Sequence, residues 1–438
     1  TKLSISPLKL ASQIQSSIEI LDQILLRHKP LPIAMKDWAS NNRYAGVRDR
    51  ATIINILNAA LRQKISSSYV MDSEDSRAII IGSLIREFQF KISTLSKLFN
   101  NEKYAPKSLS ENEFELLSSA KNRLSNANIF VKNDVPESTI DEYQRTFGDT
   151  LDAQLSFMSG MPDLDIRVNE LKSNLDKVEL ALKKFHPIRT VCSPFGMRVK
   201  SGGLEYKFPN LEKTLSYAKG QIEIQNEGSQ ISAILSGAGP GMQVLDYCAG
   251  HGGKAAILSM LMKNSGQLYL NDIDQSRLIN VPSRMKRLGV KNYQIINYQD
   301  SKNKLAQFFD IVFLDAPCSG SGTWRRKPDL KWKFNQEKLD NNLKDQKLIL
   351  SEAKHAVKIG GKLIYVTCSL FDSENDQQIR NFLQNEKGFR LVNYQKQWPF
   401  GIKNMPTNAK NKHTETLLLS PMTNNTDGFF VAILERLE

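Results

Sequence analysis

Four cysteines, five histidines and four tryptophans are all that 438 residues contain, and each scarcity removes a class of protein. Cys192, Cys248, Cys318 and Cys368 lie too far apart for a short metal knuckle, and they are too few for an extracellular disulfide framework. A reducing cytoplasm is therefore the expected home, with no metal site. No uninterrupted apolar run approaches the length needed to span a bilayer, and the polar opening residues carry no basic-then-apolar signal, so no membrane association is expected. The composition is otherwise ordinary for a globular protein, which excludes a disordered or fibrous chain.

What is present is length and positive charge. The chain is long enough for two or three domains with substantial cores. Its 59 basic residues outnumber 46 acidic ones, a net charge of +13. Such an excess favours a polyanionic partner, although it also serves solubility.

The first part of the chain, about residues 8–130, reads as helical. Ile14, Ile18, Leu21 and Leu25 fall on one helical stripe, and Ile53, Leu57, Ala60 and Leu61 on another. Further helices are expected over 76–88 and 112–123, with a connection at 100–107. Residues 131–142 are polar, contain Pro136 and form a boundary. Over 143–225 the pattern is mixed, with strands at 166–169 and 190–199 and a helix at 175–185. Lys172, Lys177, Lys183, Lys184, Arg189, Arg198 and Lys200 make this segment basic; they form either a solvated face or a guide for an RNA backbone. From 226 the rhythm becomes that of an α/β domain. Strands are expected at 243–247, 267–271, 293–297, 311–314 and 362–367, and helices at 254–262, 276–288 and 343–357, the second interrupted by Pro282. Short apolar strands alternating with longer helices imply a mostly parallel sheet, with its ligand site outside the carboxyl ends of the strands.

Three strand ends carry the first chemistry. Asp246, Cys248, Ala249, Gly250, His251, Gly252, Gly253 and Lys254 form a glycine-rich turn into a helix, suited to close backbone contact with a ligand. The spacing fits neither a phosphate loop nor a dinucleotide fingerprint. Asp272, at the next strand end, is placed to accept from ribose hydroxyls, and Asp300, after the third, from an adenine amino group. Two later strand ends carry Asp315-Ala-Pro-Cys318 and Val366-Thr-Cys368. A lone cysteine is usually a small buried hydrophobe. Two strand-end cysteines, one beside an acid, suggest covalent chemistry, and the residues alone leave Cys318 and Cys368 as rivals for the nucleophile.

The glycine loop and the acids after the second and third strands resemble the S-adenosylmethionine site of class I methyltransferases. With Asp315-Ala-Pro-Cys-Ser-Gly-Ser-Gly-Thr323, Val366-Thr-Cys-Ser369 and Glu374-Asn375, the chain resembles the RNA cytosine-C5 methyltransferase family in its bacterial Fmu/Sun branch. One departure is visible: Cys248-Ala-Gly-His-Gly-Gly-Lys254 stands where the family commonly has Cys-Ala-Ala-Pro-Gly-Gly-Lys. The resemblance implies a Rossmann-like class I catalytic domain over 226–438, a small linking mixed α/β segment over 136–225 that positions RNA, and an all-helical NusB-like RNA-binding domain over 1–135.

It further implies transfer of a methyl group from S-adenosylmethionine to cytosine C5 in 16S rRNA, at position 967 in standard rRNA numbering. The RNA would be free or in an early small-subunit precursor, with no obligate protein partner. By that resemblance Cys368 attacks C6, Asp315 binds the cytosine edge and Cys318 serves release. Thr323, Arg325, Arg326 and Lys327 form either a mobile, solvated basic loop or one whose cations contact RNA phosphates, with Trp324 and Trp332 either stacking on bases or packing internally. The alternatives are a transfer-RNA or other rRNA cytosine methyltransferase, a DNA methyltransferase attacking through Cys318, and an inactive RNA-binding assembly factor.

Overall fold

The computed structural model describes residues 7–410 and 414–438. Eight helices come first: Pro7–Arg27, Leu31–Asn41, Val47–Arg62, Lys64–Met71, Ser76–Arg86, Ile92–Leu98, Glu111–Ser125 and Ile129–Lys132. Ile14, Leu21, Ile53 and Leu57 sit in one shared core, where the helical stripes placed them. Ser110 begins the Glu111–Ser125 helix with a capping box. Its hydroxyl accepts from the Glu113 amide, and the Glu113 carboxylate accepts from the Ser110 amide. Among the described residues no helix is long and apolar enough to cross a membrane.

The polar stretch 131–142 conceals structure. Helices Ile140–Phe147 and Leu151–Ser156 start within or just beyond it, and Tyr143, Phe147 and Leu155 are fully buried against one face of the large sheet. An apolar side chain every fourth residue is enough to anchor a short helix when the other faces are polar.

Four antiparallel strands form a small sheet: β1 (Leu164–Val168), β2 (Ile188–Arg189), β3 (Gly196–Val199) and β4 (Ile222–Ile224), in the order β2-β3-β1-β4. The stretch expected to be extended over 190–199 is instead a hairpin in which only the last four residues pair. Arg198 on β3 forms a bidentate ion pair with Asp165 on β1 at 2.6 and 2.9 Å and also meets Glu227 at 3.2 Å. All three side chains are buried, so Arg198 is structural and does not belong to an RNA-facing surface. Arg189 is likewise occupied, by Asp176 and Glu179.

The large sheet contains β5 (Gln243–Asp246), β6 (Gln267–Leu270), β7 (Tyr293–Ile295), β8 (Phe309–Asp315), β9 (Val357–Thr367), β10 (Phe389–Val392), β11 (Leu417–Leu419) and β12 (Phe429–Arg436). Its order is β10-β12-β9-β8-β5-β6-β7, with β11 also on β12. Strands β5 to β9 run parallel, and β12 enters antiparallel to β9. Side chains alternate between two cores: Val244, Ile311, Phe313, Ile364 and Val366 point to one face, and Leu245, Val312, Leu314, Leu363 and Tyr365 to the other. Period-two alternation of buried residues on both faces is what helices covering both sides require. From β5 the chain proceeds outward to β6 and β7, then returns to the other side of β5 for β8 and β9. That reversal opens a crevice above the carboxyl ends of β5 and β8. Pro282 lies at the amino end of the Val281–Leu288 helix, where its missing amide costs nothing, so the expected interruption becomes a helix start after a 3-10 turn at Gln275–Leu278.

Candidate active site

A cavity of about 770 Å³ occupies that crevice. Cys248, Ala249, Gly250, His251, Gly253 and Lys254 line it from the glycine loop, Asp272 from the end of β6, and Asp315, Cys318 and Cys368 from the ends of β8 and β9. Of the expected site residues, Asp246, Gly252 and Asp300 are not in the lining. Asn297 caps the short Tyr298–Ser301 helix by accepting from the Gln299 amide at 3.2 Å. The turn brings Asn297 and Gln299 to the cavity and leaves Asp300 exposed outside it.

The loop is held by its neighbours. The Gly250 amide donates to Asp272 Oδ2 at 2.8 Å and the Ala249 amide to the Asn271 carbonyl at 2.8 Å. Asp272 also accepts from the Asp274 amide at 3.0 Å. Gly252 has φ +84°, and a Cβ there would lie 3.0 Å from Met285 and 3.3 Å from Val281, so a side chain would be strained and crowded. Beneath the loop, Asp246 is 1% exposed and neither carboxylate oxygen has a hydrogen-bond partner. Burial, then the charge of Asp315, holds its pKa well above the usual carboxylate range. An unpartnered buried acid beside a ligand-sized cavity fits a ligand with a cationic amine, and Asp272 fits a ribose. The donor set therefore suits S-adenosylmethionine. Burial, then Asp246, raises the Cys248 thiol, and burial with Glu227 pushes Cys192 up to about 12. Neither is suited to be a nucleophile.

Cys318 Sγ and Cys368 Sγ are 3.5 Å apart. The contact with Cys368, followed by burial, raises Cys318 well above an ordinary thiol. Beside them Lys254 Nζ donates to Asp315 Oδ2 at 2.7 Å. Burial by itself would lower the Lys254 pKa, but Asp315 outweighs it and the amine is held charged.

The two cysteine loops are tied together by residues for which composition gives no chemical signal. Buried Glu374 accepts from the Ser319 amide at 2.8 Å, the Ser319 hydroxyl at 2.6 Å and the Gln346 side chain at 3.2 Å. Gln346 also donates to the Pro317 carbonyl at 2.8 Å. Asn375 donates to the Ser369 carbonyl at 2.8 Å, and its side-chain oxygen pairs with the Thr367 hydroxyl at 2.6 Å. The Gly322 amide donates to the Cys368 carbonyl at 2.9 Å while its own carbonyl accepts from Gly428 at 2.8 Å. A Cβ on Gly322 would sit 2.3 Å from the Gly428 carbonyl oxygen, so only glycine permits this crossing. In sequence, Glu374-Asn375 stands out only through the family resemblance.

The segment after Cys318 is not a mobile basic loop. Arg325 and Arg326 both pair with buried Asp427, at 2.9 and 2.5 Å, leaving exposed Lys327 as the cation available to a phosphate. Trp324 is 2% exposed and packs edge-on against Phe371, while Trp332 donates to the Leu61 carbonyl at 2.6 Å. Trp324 therefore packs internally and offers no face for base stacking, while Trp332 is half-buried against the helical core.

Residues 234–435 match the family model described as 16S rRNA methyltransferase RsmB/F. Over that stretch the catalytic domain is similar to the RsmB/F family. Similar proteins include a probable ribosomal RNA small subunit methyltransferase B of Synechocystis, 29% identical over 69% of this chain and 66% of its own length. A ribosomal RNA small subunit methyltransferase F of Vibrio vulnificus is 32% identical, over 62% and 57%. A mouse 28S rRNA (cytosine-C(5))-methyltransferase is 30% identical, over 61% and 34%. The chain thus spans less than two thirds of the length of each of these RsmB/F-like relatives. The fold matches the crystal structure of PH0851 across all of both chains, with TM-score 0.71 and 24% identity. A methyltransferase homologue from Pyrococcus horikoshii is 25% identical over 70% of this chain and 98% of its own, with TM-score 0.58. The architecture is that of a class I S-adenosylmethionine-dependent methyltransferase preceded by a helical region.

Proposed function

We propose that this chain methylates cytosine C5 in small-subunit rRNA, using S-adenosylmethionine and a covalent enzyme–base intermediate. The observation that carries the reading is the pair of sulfurs 3.5 Å apart at the ends of β8 and β9, next to the Lys254–Asp315 ion pair. The match of residues 234–435 to the RsmB/F model supports the methyl transfer, and the names of the relatives support an rRNA substrate.

Cytosine C5 is a weak nucleophile until C6 is attacked. The Cys368 thiolate adds to C6, a new S–C bond forms, and the electron pair of the C5–C6 double bond becomes available at C5. When bound, S-adenosylmethionine supplies an electrophilic methyl group. Asp246, Asp272 and the backbone of 248–253 hold that cofactor, with Asn297 and Gln299 taking the adenine-edge role expected of Asp300. Asp315 orients the cytosine edge, and Lys254 supplies positive charge beside Asp315 and the reacting sulfur.

Release of the base is the last step. While the Cys368 sulfur is free, it is the first cause of the raised Cys318 pKa. With Cys368 bonded to C6, Cys318, whose sulfur is 3.5 Å away, takes the proton leaving C5, either itself as the base or through a bound proton acceptor. The C6–S bond breaks as the double bond re-forms. The sulfur separation lets either thiol reach the base, and the choice of Cys368 rests on the family resemblance.

The test is a denaturing gel with labelled RNA and cofactor. Cys318→Ala should accumulate a protein–RNA adduct and Cys368→Ala should form none; the reverse pattern exchanges the two roles. The helical region is assigned as the RNA-binding, NusB-like part, and the target as position 967 of 16S rRNA, free or in an early precursor, in the cytoplasm and without an obligate protein partner. The mouse relative favours a second reading, methylation of another rRNA.

A further inference from the structure

A second hollow, of about 650 Å³, lies between the small sheet and the Val281–Leu288 helix. Lys172, Lys219, Lys286 and Arg287 line it, with no carboxylate in the lining. Arg287 is committed: its guanidinium stacks on Tyr217 at 3.9 Å and pairs with buried Glu223. The three lysines are exposed and have no ion-pair partner among the described residues. Elsewhere in the small sheet and the loop after Cys318, Arg189, Arg198, Arg325 and Arg326 are all neutralised by acids. Lys177, Lys183, Lys184 and Lys200 are also exposed without an ion-pair partner among the described residues, but this hollow gathers three such cations into one concavity.

Two elements join the hollow to the catalytic cavity. The Val281–Leu288 helix begins against Gly252, its Arg284 donates to the His251 carbonyl at 3.0 Å, and Lys286 and Arg287 on its last turn line the hollow. Strand β4 has Gln221 before it in the hollow, while Ile224, Gln225 and Asn226 at its other end line the cavity. Helix rise and strand rise each put the two recesses about 10 Å apart.

We infer that this basic hollow is a phosphate-binding track for the RNA strand that enters the catalytic cavity, which deepens and rests on the function proposed above. Three point charges in a concavity, beside the Gln221 amide and the Ser283 hydroxyl, suit backbone phosphate and ribose oxygens and carry no base readout. At about 3.4 Å per nucleotide the contacted phosphates lie about three nucleotides from the target base.

The test compares RNA binding by the full chain and by Lys172→Ala/Lys219→Ala/Lys286→Ala across a salt series. Lys387→Ala/Lys396→Ala/Lys403→Ala, three exposed lysines toward the opposite, β10 side of the sheet, is the control. At about 0.7 per single-strand phosphate contact, the first variant should flatten the slope of log affinity against log salt by about 2 and weaken binding about 10- to 100-fold near 0.1 M salt. Its KM for RNA should rise, its thermal midpoint should stay near the parent's, and the control should bind like the parent. Equal slopes for parent and first variant overturn the inference, as does a parent that binds no RNA. A flattened slope from a parent that binds RNA without methylating it upholds the track and refutes the proposed activity instead.

Discussion

Asp246 is buried with both oxygens unpartnered, an arrangement that costs stability until a ligand answers it. Its folded-state pKa lies well above the ordinary carboxylate value of 3.8. A raised pKa means that the folded state favours the protonated form. Its contribution to stability is therefore full below the unfolded pKa and is lost as pH rises through the folded one. Asp246→Asn should raise the thermal midpoint at neutral pH, by an amount equivalent to about 1–3 kcal/mol, while weakening S-adenosylmethionine. Calorimetry on the one protein checks both; a destabilised variant with parental cofactor affinity contradicts this role. Glu374 acts differently, as a positioning residue. Glu374→Gln sets an amide against the Ser319 donors, so kcat should fall at least about tenfold with cofactor affinity retained, at a stability cost of about 1–3 kcal/mol. A parental kcat in that variant removes Glu374 from the account. Asp246, Cys318 and Cys368 were legible as strand-end residues. Glu374 was not legible as chemistry, because its function is to accept hydrogen bonds from a loop 55 residues away.

At the scale of elements, the Pro328–Trp332 helix joins the catalytic domain to the helical region. The break between Val47–Arg62 and Lys64–Met71 leaves the Leu61 and Arg62 carbonyls free of helical partners, and Trp332 and Lys331 donate to them at 2.6 and 2.9 Å. Lys331 is buried, and its pKa is pushed down to about 7 by burial, with Asp134 opposing and Arg62 reinforcing the shift. The unfolded chain then binds more protons than the folded one between about 7 and the ordinary lysine value of 10.5, so this group's contribution rises with pH across that window. Thermal unfolding of the parent and of Lys331→Met at pH 7 and pH 9 isolates it. The difference between the two proteins should shift toward the parent at pH 9; a constant difference contradicts the assignment. Helices with clean stripes, such as Pro7–Arg27, were readable from spacing. The two short helices from Ile140 to Ser156 were not, because their polar faces hide the few residues that anchor them to a sheet formed about a hundred residues later.

Over the whole molecule, alternation of strands and helices predicted the parallel sheet, and the crevice follows from where its order reverses. The surface was less readable, because charge composition does not reveal which cations have buried partners. Arg325 and Arg326 read as an RNA-facing pair until Asp427, brought alongside by the Gly322–Gly428 crossing, is seen to hold both. Lys172, in a run that reads the same way, keeps its charge unpaired. The proposed function joins these levels, with a cysteine pair, held by a loop network above a class I sheet, methylating one cytosine of small-subunit rRNA. Its most direct test is base-resolved mapping of 5-methylcytosine after incubating the protein and S-adenosylmethionine with unmodified 16S rRNA, transfer RNA and duplex DNA. A single modified cytosine in 16S rRNA, lost in Cys368→Ala, is the predicted result; modification confined to transfer RNA or DNA, or none in any of the three, contradicts it.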